Sequence, residues 1–168
     1  MINTSGSRDI SLLRTADRSV SVWLQDAANE SEAVLSPDGK WVAYASDESG
    51  RSEIFVRPFD RAAASLSARW QVSRNGAISP QWRDDGKELF FKDLTGVPVS
   101  VAVSASGNAV ESGAPERLPI QGAIWPSWGV TGDGKRIILA LAPQANLETP
   151  ITVLLNWASA IEPRPDVP

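Results

Sequence analysis

Histidine and cysteine are both missing from the 168 residues of this chain. Without them the chain cannot supply a Ser-His-Asp triad or a Cys-His pair for nucleophilic catalysis. Zinc, copper, haem and iron–sulfur sites that depend on imidazole or thiolate ligands are excluded for the same reason. Oxygen ligands for calcium or magnesium remain available. We expect no cofactor.

Clustered positive charge is also lacking. The formal net charge is −4, the pI is about 4.9, and the 16 basic residues are scattered singly or in mixed-sign pairs. Binding to a phosphate backbone needs a cluster of Lys and Arg, so we exclude nucleic acid as a partner.

Long apolar runs are absent too. The longest, "IILALA" at Ile137–Ala142, is far too short to span a bilayer, and the amino-terminal "MINTSGSRDI" lacks the apolar segment of a signal peptide. We expect a soluble chain without membrane insertion and without an export signal of its own. The cellular compartment stays open.

The sequence does contain an internal repeat, in which Asp-Gly-Lys and one further residue precede an apolar run. Its glycines are Gly39, Gly86 and Gly134, at spacings of 47 and 48 residues. The three copies are "SPDGKWVAYAS" from Ser36, "RDDGKELFFKD" from Arg83 and "TGDGKRIILAL" from Thr131. A repeat of this length is typical of propellers and solenoids.

Each copy is predicted to be a β-hairpin, because Asp and Gly favour a tight turn and the flanks are rich in strand-forming residues. The apolar runs are nearly continuous, which indicates strands covered on both faces. A third strand follows each hairpin, at Glu53–Phe59, Val97–Val103 and Pro150–Trp157. A fourth strand is predicted at Arg69–Ser73 and at Pro115–Ile120.

Four antiparallel strands per repeat, without helical patterning, favour an all-β fold built of propeller blades. A β-solenoid is the alternative, although its coils are typically shorter. We predict a partial β-propeller over residues 1–157, with about three four-stranded antiparallel blades, and a Pro-rich tail at 158–168. Its parts are the last strands of a preceding blade at 9–25, blades at 32–73 and 78–120, and an incomplete blade at 126–157.

The stretch "LSPDGKWVAYASDESGRSEIFVRPF" (Leu35–Phe59) resembles the PD40, or TolB-like, repeat of WD40-like propellers. "WQVSRNGAISPQWRDDGKELFF" (Trp70–Phe91) continues the pattern, and "ITVLLNW" (Ile151–Trp157) resembles the terminal strand of propeller regions in bacterial Ser/Thr-kinase sensor proteins. The resemblance implies a recognition scaffold of extracytoplasmic origin. In the related prolyl-oligopeptidase-like peptidases the catalytic Ser and His belong to a separate domain, and this chain has no G-x-S-x-G motif.

Five carboxylates are candidates for acid–base chemistry, namely Asp47, Glu48, Glu53, Asp84 and Asp85. Because carboxylates in turns and loops are usually solvated, we interpret them as surface charges and assign no catalytic residue. The turn in "SPDGKW" offers one carboxylate, too few for a calcium loop, so we interpret the Asp-Gly turns as structural and assign no metal site.

Seven tryptophans are a large share of this chain. Trp41, Trp70, Trp82, Trp128 and Trp157 fall on predicted strands, where large rings fill the space between blades. Trp125, in the loop before the third hairpin, is the candidate for an exposed binding aromatic.

Propellers close with about four to eight blades, so three blades leave open faces and edges. We expect closure by the rest of a longer protein or by a second copy, in which strand 19–25 completes the 126–157 blade of the partner and gives a six-bladed dimer. That exchange leaves residues 9–13 without a place in a four-stranded blade.

The predicted function is a non-catalytic binding module, derived from a sensor region, for a peptide, sugar or protein ligand. The alternatives are a carboxylate-based hydrolase or lyase acting in the propeller channel, and a folded fragment without a function of its own.

Overall fold

The structure, a computed structural model, describes residues 7–59, 68–106, 109–119 and 124–141. All regular elements in these ranges are β-strands, as predicted. They are β1 (Ile10–Leu13), β2 (Val20–Leu24), β3 (Glu30–Leu35), β4 (Trp41–Ser46), β5 (Glu53–Pro58), β6 (Trp70–Gln71), β7 (Ala77–Trp82), β8 (Glu88–Asp93), β9 (Pro98–Ser106), β10 (Ala109–Ser112), β11 (Glu116–Arg117), β12 (Ile124–Val130) and β13 (Ile137–Leu141).

The strands form antiparallel sheets in chain order. Strands β3, β4, β5 and β6 make a four-stranded sheet, here called blade 1. Strands β7, β8 and β9 make the next sheet, blade 2, in which both β10 and β11 pair with β9. Two two-stranded sheets flank these blades: β1–β2, here called the amino-terminal hairpin, and β12–β13, here called the third-blade hairpin.

The outer part of blade 2 differs from the prediction. Strand β9 continues to Ser106, beyond the predicted end at Val103, and β10 pairs with this extension. The alternation of small and polar residues in the extension has a weak strand signal, yet Val110 of β10 is buried in the core. The fourth strands are shorter than predicted: β6 and β11 have two residues each.

The core consists of two clusters, one on each side of blade 1. Ala43 and Ala45 of β4 lie in the cluster shared with blade 2, whereas Val42 and Tyr44 lie in the cluster shared with Trp23 of the amino-terminal hairpin. All six residues of β4 are buried, which confirms the prediction of a strand covered on both faces.

This alternation defines two faces of each blade. We call the face toward the next blade in the sequence the forward face, and the opposite one the backward face. Sheets that stack face to face in chain order, with their first strands innermost, are the blades of a propeller. The prediction of an all-β partial propeller is therefore confirmed.

The three Asp-Gly turns have the same geometry. Gly39, Gly86 and Gly134 adopt positive φ values of 69°, 68° and 70°. In each turn the glycine N–H donates to the carbonyl oxygen three residues earlier, at 2.7–2.9 Å. The repeat identified in the sequence is therefore a repeat of backbone conformation.

The predicted strand Pro150–Trp157 and the tail 158–168 lie outside the described residues. The limits of the predicted blades stay predictions. Within the described ranges, no helix has the length and apolar character needed to cross a membrane.

Candidate functional site

The first strand of each hairpin carries a bulge near its start. In β3, Ser31 pairs with Ala45 and Val34 pairs with Ala43, so two residues of β3 face one residue of β4. Strand β7 has the same bulge at residues 79–80, and β12 has one between Ile124 and Trp128. Bulges of this kind remove residues from the regular ladder and aim backbone and side chains elsewhere.

The bulges lie where neighbouring blades meet. The Glu32 carboxylate accepts hydrogen bonds from the backbone N–H of Ser79 at 2.7 Å and from its hydroxyl at 3.1 Å. Glu32 and Ser79 are equivalent residues of consecutive repeats, 47 positions apart, and both have left-handed backbones with φ of 54° and 57°. The bulge thus joins blade 1 to blade 2.

A side-chain amide makes the next connection. Gln81 donates from Nε2 to the carbonyl oxygen of Trp128 at 3.1 Å and accepts at Oε1 from the N–H of Val130 at 2.9 Å. The Gln81 side chain therefore pairs with the backbone of β12 as a strand would. Together the two connections hold β3, β7 and β12 side by side.

A groove of about 360 Å³ follows these three strands. Its walls combine small and polar side chains with one aromatic ring. They are Glu32, Ala33, Val34, Ser79, Pro80, Gln81, Ser127 and Trp128. The first strands of the blades surround the central channel in a closed propeller, and this groove runs along the first strands of the three hairpins.

Trp128 lies at the third-blade end of the groove. Its indole N–H is buried and has no hydrogen-bond acceptor among the described residues. The ammonium group of Lys92 lies 6.0 Å from the centre of the Trp128 ring. An acceptor that reached this N–H would satisfy a buried donor that has no partner among the described residues.

A second, larger cleft of about 570 Å³ lies between the Asp-Gly turns of blades 1 and 2. It is lined by Trp41, Trp82 and Ser104, together with the residues of both turns. The carboxylates Asp38 and Asp85 at its rim already accept hydrogen bonds within their own turns. We take the inner-strand groove as the stronger candidate, because its walls contain residues that lie outside the regular sheet ladder in all three hairpins.

The predicted acidic group in blade 1 is divided among separate structural contacts. Asp47 accepts from the backbone and side chain of Asn29, and these bonds lower the pKa of its carboxyl group. Glu48 accepts from the guanidinium of Arg69 at 2.7 Å. Each of these two carboxylates has its own donor, and the two make separate contacts.

Glu53 is the exception in burial, with 1% of its surface exposed. Its carboxylate accepts from the N–H of Gly76 at 2.8 Å, from the Ser73 hydroxyl, and from Arg51 at 2.9 Å. Glu53 thus fixes the loop that leads from blade 1 into blade 2. The sequence interpretation of Glu53 as a surface charge is wrong. Hydrogen bonds from Arg51, Ser73 and Gly76 offset the free-energy cost of removing its carboxylate from water.

The two acidic residues of blade 2, Asp84 and Asp85, also make different contacts. Asp85 accepts from Arg83 and from the N–H of Lys87, and these bonds lower its pKa to about 2. The corresponding Asp38 and Asp133 have lowered pKa values through bonds from the side chains and N–H groups of their own turns. Asp84 instead lies against Gly132 of the next turn. Among the described residues no group of three acidic side chains is arranged to hold a metal ion.

Glu30 is a buried carboxylate that the sequence did not single out. It is 3% exposed, and its Oε2 has no hydrogen-bond partner among the described residues. Burial raises its pKa to about 7, and the negative charges of Asp26, Asp9 and Glu48 act in the same direction. It occupies the position of the buried Ala77 in the next repeat.

The tryptophans follow the core prediction where they are described. Trp41 is buried, and Trp70, Trp82 and Trp128 are half-buried. Trp125 belongs to the backbone of β12, but its side chain, like residue Trp157, lies outside the described residues. Its assignment as a binding aromatic stays a prediction.

Sequence reasoning did not identify the groove residues. Glu32, Ser79 and Gln81 are ordinary polar residues in strands, and a bulge has no composition of its own. The repeat spacing is the sequence feature that could have pointed to these residues, because it aligns Glu32 with Ser79 and places both in the first strand of their hairpins.

Stacked antiparallel blades joined through their first strands make this chain a partial β-propeller. The structure is similar to a putative TolB from Agrobacterium tumefaciens, at 16% sequence identity and a TM-score of 0.46, over 62% of this chain and 40% of that one. It is also similar to TolB from Acinetobacter baumannii, at 18% identity and a TM-score of 0.43, over 82% of this chain and 44% of that one.

The chain thus spans about two fifths of the length of the solved structures it matches. No protein-family model and no curated protein matches the sequence.

Proposed function

We propose that the chain is a non-catalytic propeller module that binds an extended peptide segment of a protein partner along the inner-strand groove. The bulges in β3, β7 and β12 carry this proposal. They lie in register across three hairpins, and each takes residues out of the ladder at the wall of the channel. A peptide offers both backbone donors and acceptors, which such a wall can pair with.

The lining of the groove supports a peptide over a charged small molecule. Ser127 and Ala33 are exposed and small, so a backbone can approach closely, and the half-buried Trp128 provides an aromatic surface. The Glu32 carboxylate is already bonded to Ser79. Recognition therefore depends on backbone pairing and one aromatic contact. In keeping with the repeat resemblance, we place the module in an extracytoplasmic sensor region.

The test is selection of peptides from a displayed random library on the immobilised chain, followed by calorimetry with the selected peptide. Ser127→Trp places a large ring in the groove, and we expect it to weaken binding at least tenfold. Ser104→Trp is the matched control, because Ser104 is an exposed serine that lines the other cleft. Equal affinity in Ser104→Trp and wild type is the expected result.

Two results would contradict the proposal. The first is loss of binding in Ser104→Trp but not in Ser127→Trp, which would move the site to the cleft between the turns. The second is a failure to select any peptide, which would favour a sugar ligand or a fragment without a function of its own.

A further inference from the structure

A pocket of about 210 Å³ lies between blades 1 and 2, at the end of β8 that is far from the Asp-Gly turn. Its lining comes from the loop between β6 and β7, from β8 and β9, and from the segment that leads into β11. Each of these segments lies within the described residues. We call this cavity the loop pocket.

The floor of the loop pocket is apolar. Phe91 of β8 pairs with Val99 of β9, and Val99 pairs with Arg117 of β11. Because directly paired residues share a face of the sheet, all three lie on the backward face of blade 2. Phe91 and Val99 are buried and belong to the core cluster that blade 2 shares with blade 1. The floor is therefore a fixed part of the core, with a guanidinium group beside it.

The charged residues of the lining have an excess of positive charge. Arg117 contacts Asp93 at 2.7 Å between Nη2 and Oδ2, and its side chain is 63% exposed. The Arg74 side chain is also exposed, and it has no ion-pair partner within the described ranges. Two arginines and one aspartate give the lining a charge of +1, although the formal net charge of the whole chain is −4.

The backbone holds Arg74 in place. The Arg51 guanidinium donates to the carbonyl oxygen of Arg74 at 2.7 Å. On either side of Arg74, the hydroxyl of Ser73 and the N–H of Gly76 donate to the buried carboxylate of Glu53. A binding group on a support that is already ordered loses less free energy when a ligand arrives.

We propose that the loop pocket binds a small organic anion in which an apolar group carries a carboxylate. The apolar group packs on Phe91 and Val99, and the carboxylate pairs with the Arg74 guanidinium, whose planar fork matches two carboxylate oxygens. A pocket of about 210 Å³ is smaller than the roughly 300–1,000 Å³ that hold drug-sized ligands, so the apolar group has about the size of one side chain. Phosphate would leave the apolar floor uncovered, and a neutral hydrocarbon would leave Arg74 unpaired.

Two sources supply this chemistry, a free carboxylic acid and the carboxyl end of a peptide. A second depression, of about 360 Å³, shares Arg74, Asn75 and Pro115 with the loop pocket and continues past Ser112 and Ala114. It gives the preceding residues of a peptide a path along the surface. The loop pocket shares no lining residue with the inner-strand groove, so the proposal stands whether or not that groove binds a peptide.

The test is an NMR titration of the isotope-labelled chain with phenylacetate. We expect the largest amide shift changes on residues 73–76, 91–93 and 116–117, in and beside the lining. Phenylacetamide keeps the ring without the charge, and acetate keeps the charge without the ring, so each should bind about tenfold more weakly or worse. The proposal is overturned by an absence of shift changes, by changes centred on residues 32–34 and 127–128, or by equal affinity for phenylacetate and either analogue.

Variants assign the anion contact to Arg74. Arg74→Gln should weaken phenylacetate binding about tenfold or more, because it removes the charge that pairs with the carboxylate. Arg74→Lys keeps the charge and should lose less affinity. Arg136→Gln is the matched control, because Arg136 is an exposed arginine of the third-blade hairpin outside the loop pocket, and it should bind as wild type does.

Circular dichroism checks that each variant is folded. A folded Arg74→Gln variant with wild-type affinity would contradict the proposal. An equal loss in Arg136→Gln would also contradict it, since the attraction would then come from the overall charge and not from a site.

The tripeptide Gly-Gly-Phe with a free carboxylate compares the two sources. Tighter binding than phenylacetate indicates the end of a peptide, and equal or weaker binding indicates a free acid. In either case the same tripeptide with an amidated carboxyl end should bind more weakly than the free form. Equal affinity for the two forms would overturn the role of the carboxylate.

Discussion

The Glu32 carboxylate holds the backbone N–H of Ser79 at 2.7 Å, and the two residues are equivalent positions in consecutive repeats. Both have left-handed backbones at the bulge of an innermost strand. One repeat therefore provides the acceptor and the next provides the donor. Between blades 1 and 2 this pairing links the two bulges directly, and it also forms part of the groove wall.

The left-handed backbone of Ser79 gives a test of this connection. Ser79→Ala loses the hydroxyl bond to Glu32 and keeps the unfavourable conformation, whereas Ser79→Gly loses the same bond and relieves it. Since the left-handed conformation costs an L-residue roughly 1–2 kcal/mol, we expect the glycine variant to be more stable than the alanine variant by about 1 kcal/mol. Urea unfolding of both variants measures the difference, and greater stability of the alanine variant would contradict this account.

Substitution of Gly39 tests the backbone conformation of the Asp-Gly turn without introducing a steric clash. Its φ is +69°, and a Cβ added there would meet nothing within 4 Å. Gly39→Ala should therefore lower the free energy of unfolding by backbone strain alone, by about 1–2 kcal/mol. Gly39→Asn should cost less, because Asn tolerates the left-handed region better. Thermal unfolding compares the two, and equal losses would argue against strain as the cause.

The buried carboxylate of Glu53 should matter more than any exposed acidic residue. Glu53→Ala leaves donors on Ser73, Gly76 and Arg51 without their acceptor. Losing bonds to a buried charge costs about 3 kcal/mol or more. Exposed Glu111→Ala is the control, with an expected loss below about 0.5 kcal/mol. Similar unfolding midpoints in urea for the two variants would contradict the role of Glu53 in the loop.

Glu30 makes stability depend on pH. Its pKa is about 7 in the folded chain and 4.5 in the reference state, so the folded chain holds the proton more tightly. The free energy of unfolding should then fall as pH rises from about 4.5 to 7, by roughly 1–3 kcal/mol, since one pKa unit corresponds to about 1.4 kcal/mol.

Glu30→Gln removes this titration. We expect the variant to lose less stability than wild type between pH 5 and pH 8, as measured by urea unfolding at both values. The exposed Glu111→Gln should behave as wild type does. An unchanged pH dependence in Glu30→Gln would show that other groups cause it.

The fold was predictable because its signals are local and repeated. Three Asp-Gly turns with apolar flanks predict three hairpins, and Gly39, Gly86 and Gly134 adopt the same left-handed conformation. The continuous apolar run of β4 indicated burial on both faces, which the two clusters around Val42 and Ala43 confirm. Strand β10 was missed because Ala109–Ser112 gains its stability from pairing with a long β9.

The candidate site was not predictable in the same way. Glu32, Ser79 and Gln81 act through partners 47 to 49 residues away, and no local pattern specifies which side chain a bulge presents. Glu53 shows the converse error, because its burial depends on donors 20 and 23 residues along the chain, at Ser73 and Gly76.

The most direct test of the inner-strand groove as a recognition surface is an NMR titration of the isotope-labelled chain with a selected peptide. We predict that the largest amide shift changes fall on residues 32–34, on Ser79 and Gln81, and on residues 127–128, in all three hairpins together. Shift changes confined to the Asp-Gly turns at 36–40 and 83–87 would contradict the account and place recognition in the cleft between blades 1 and 2.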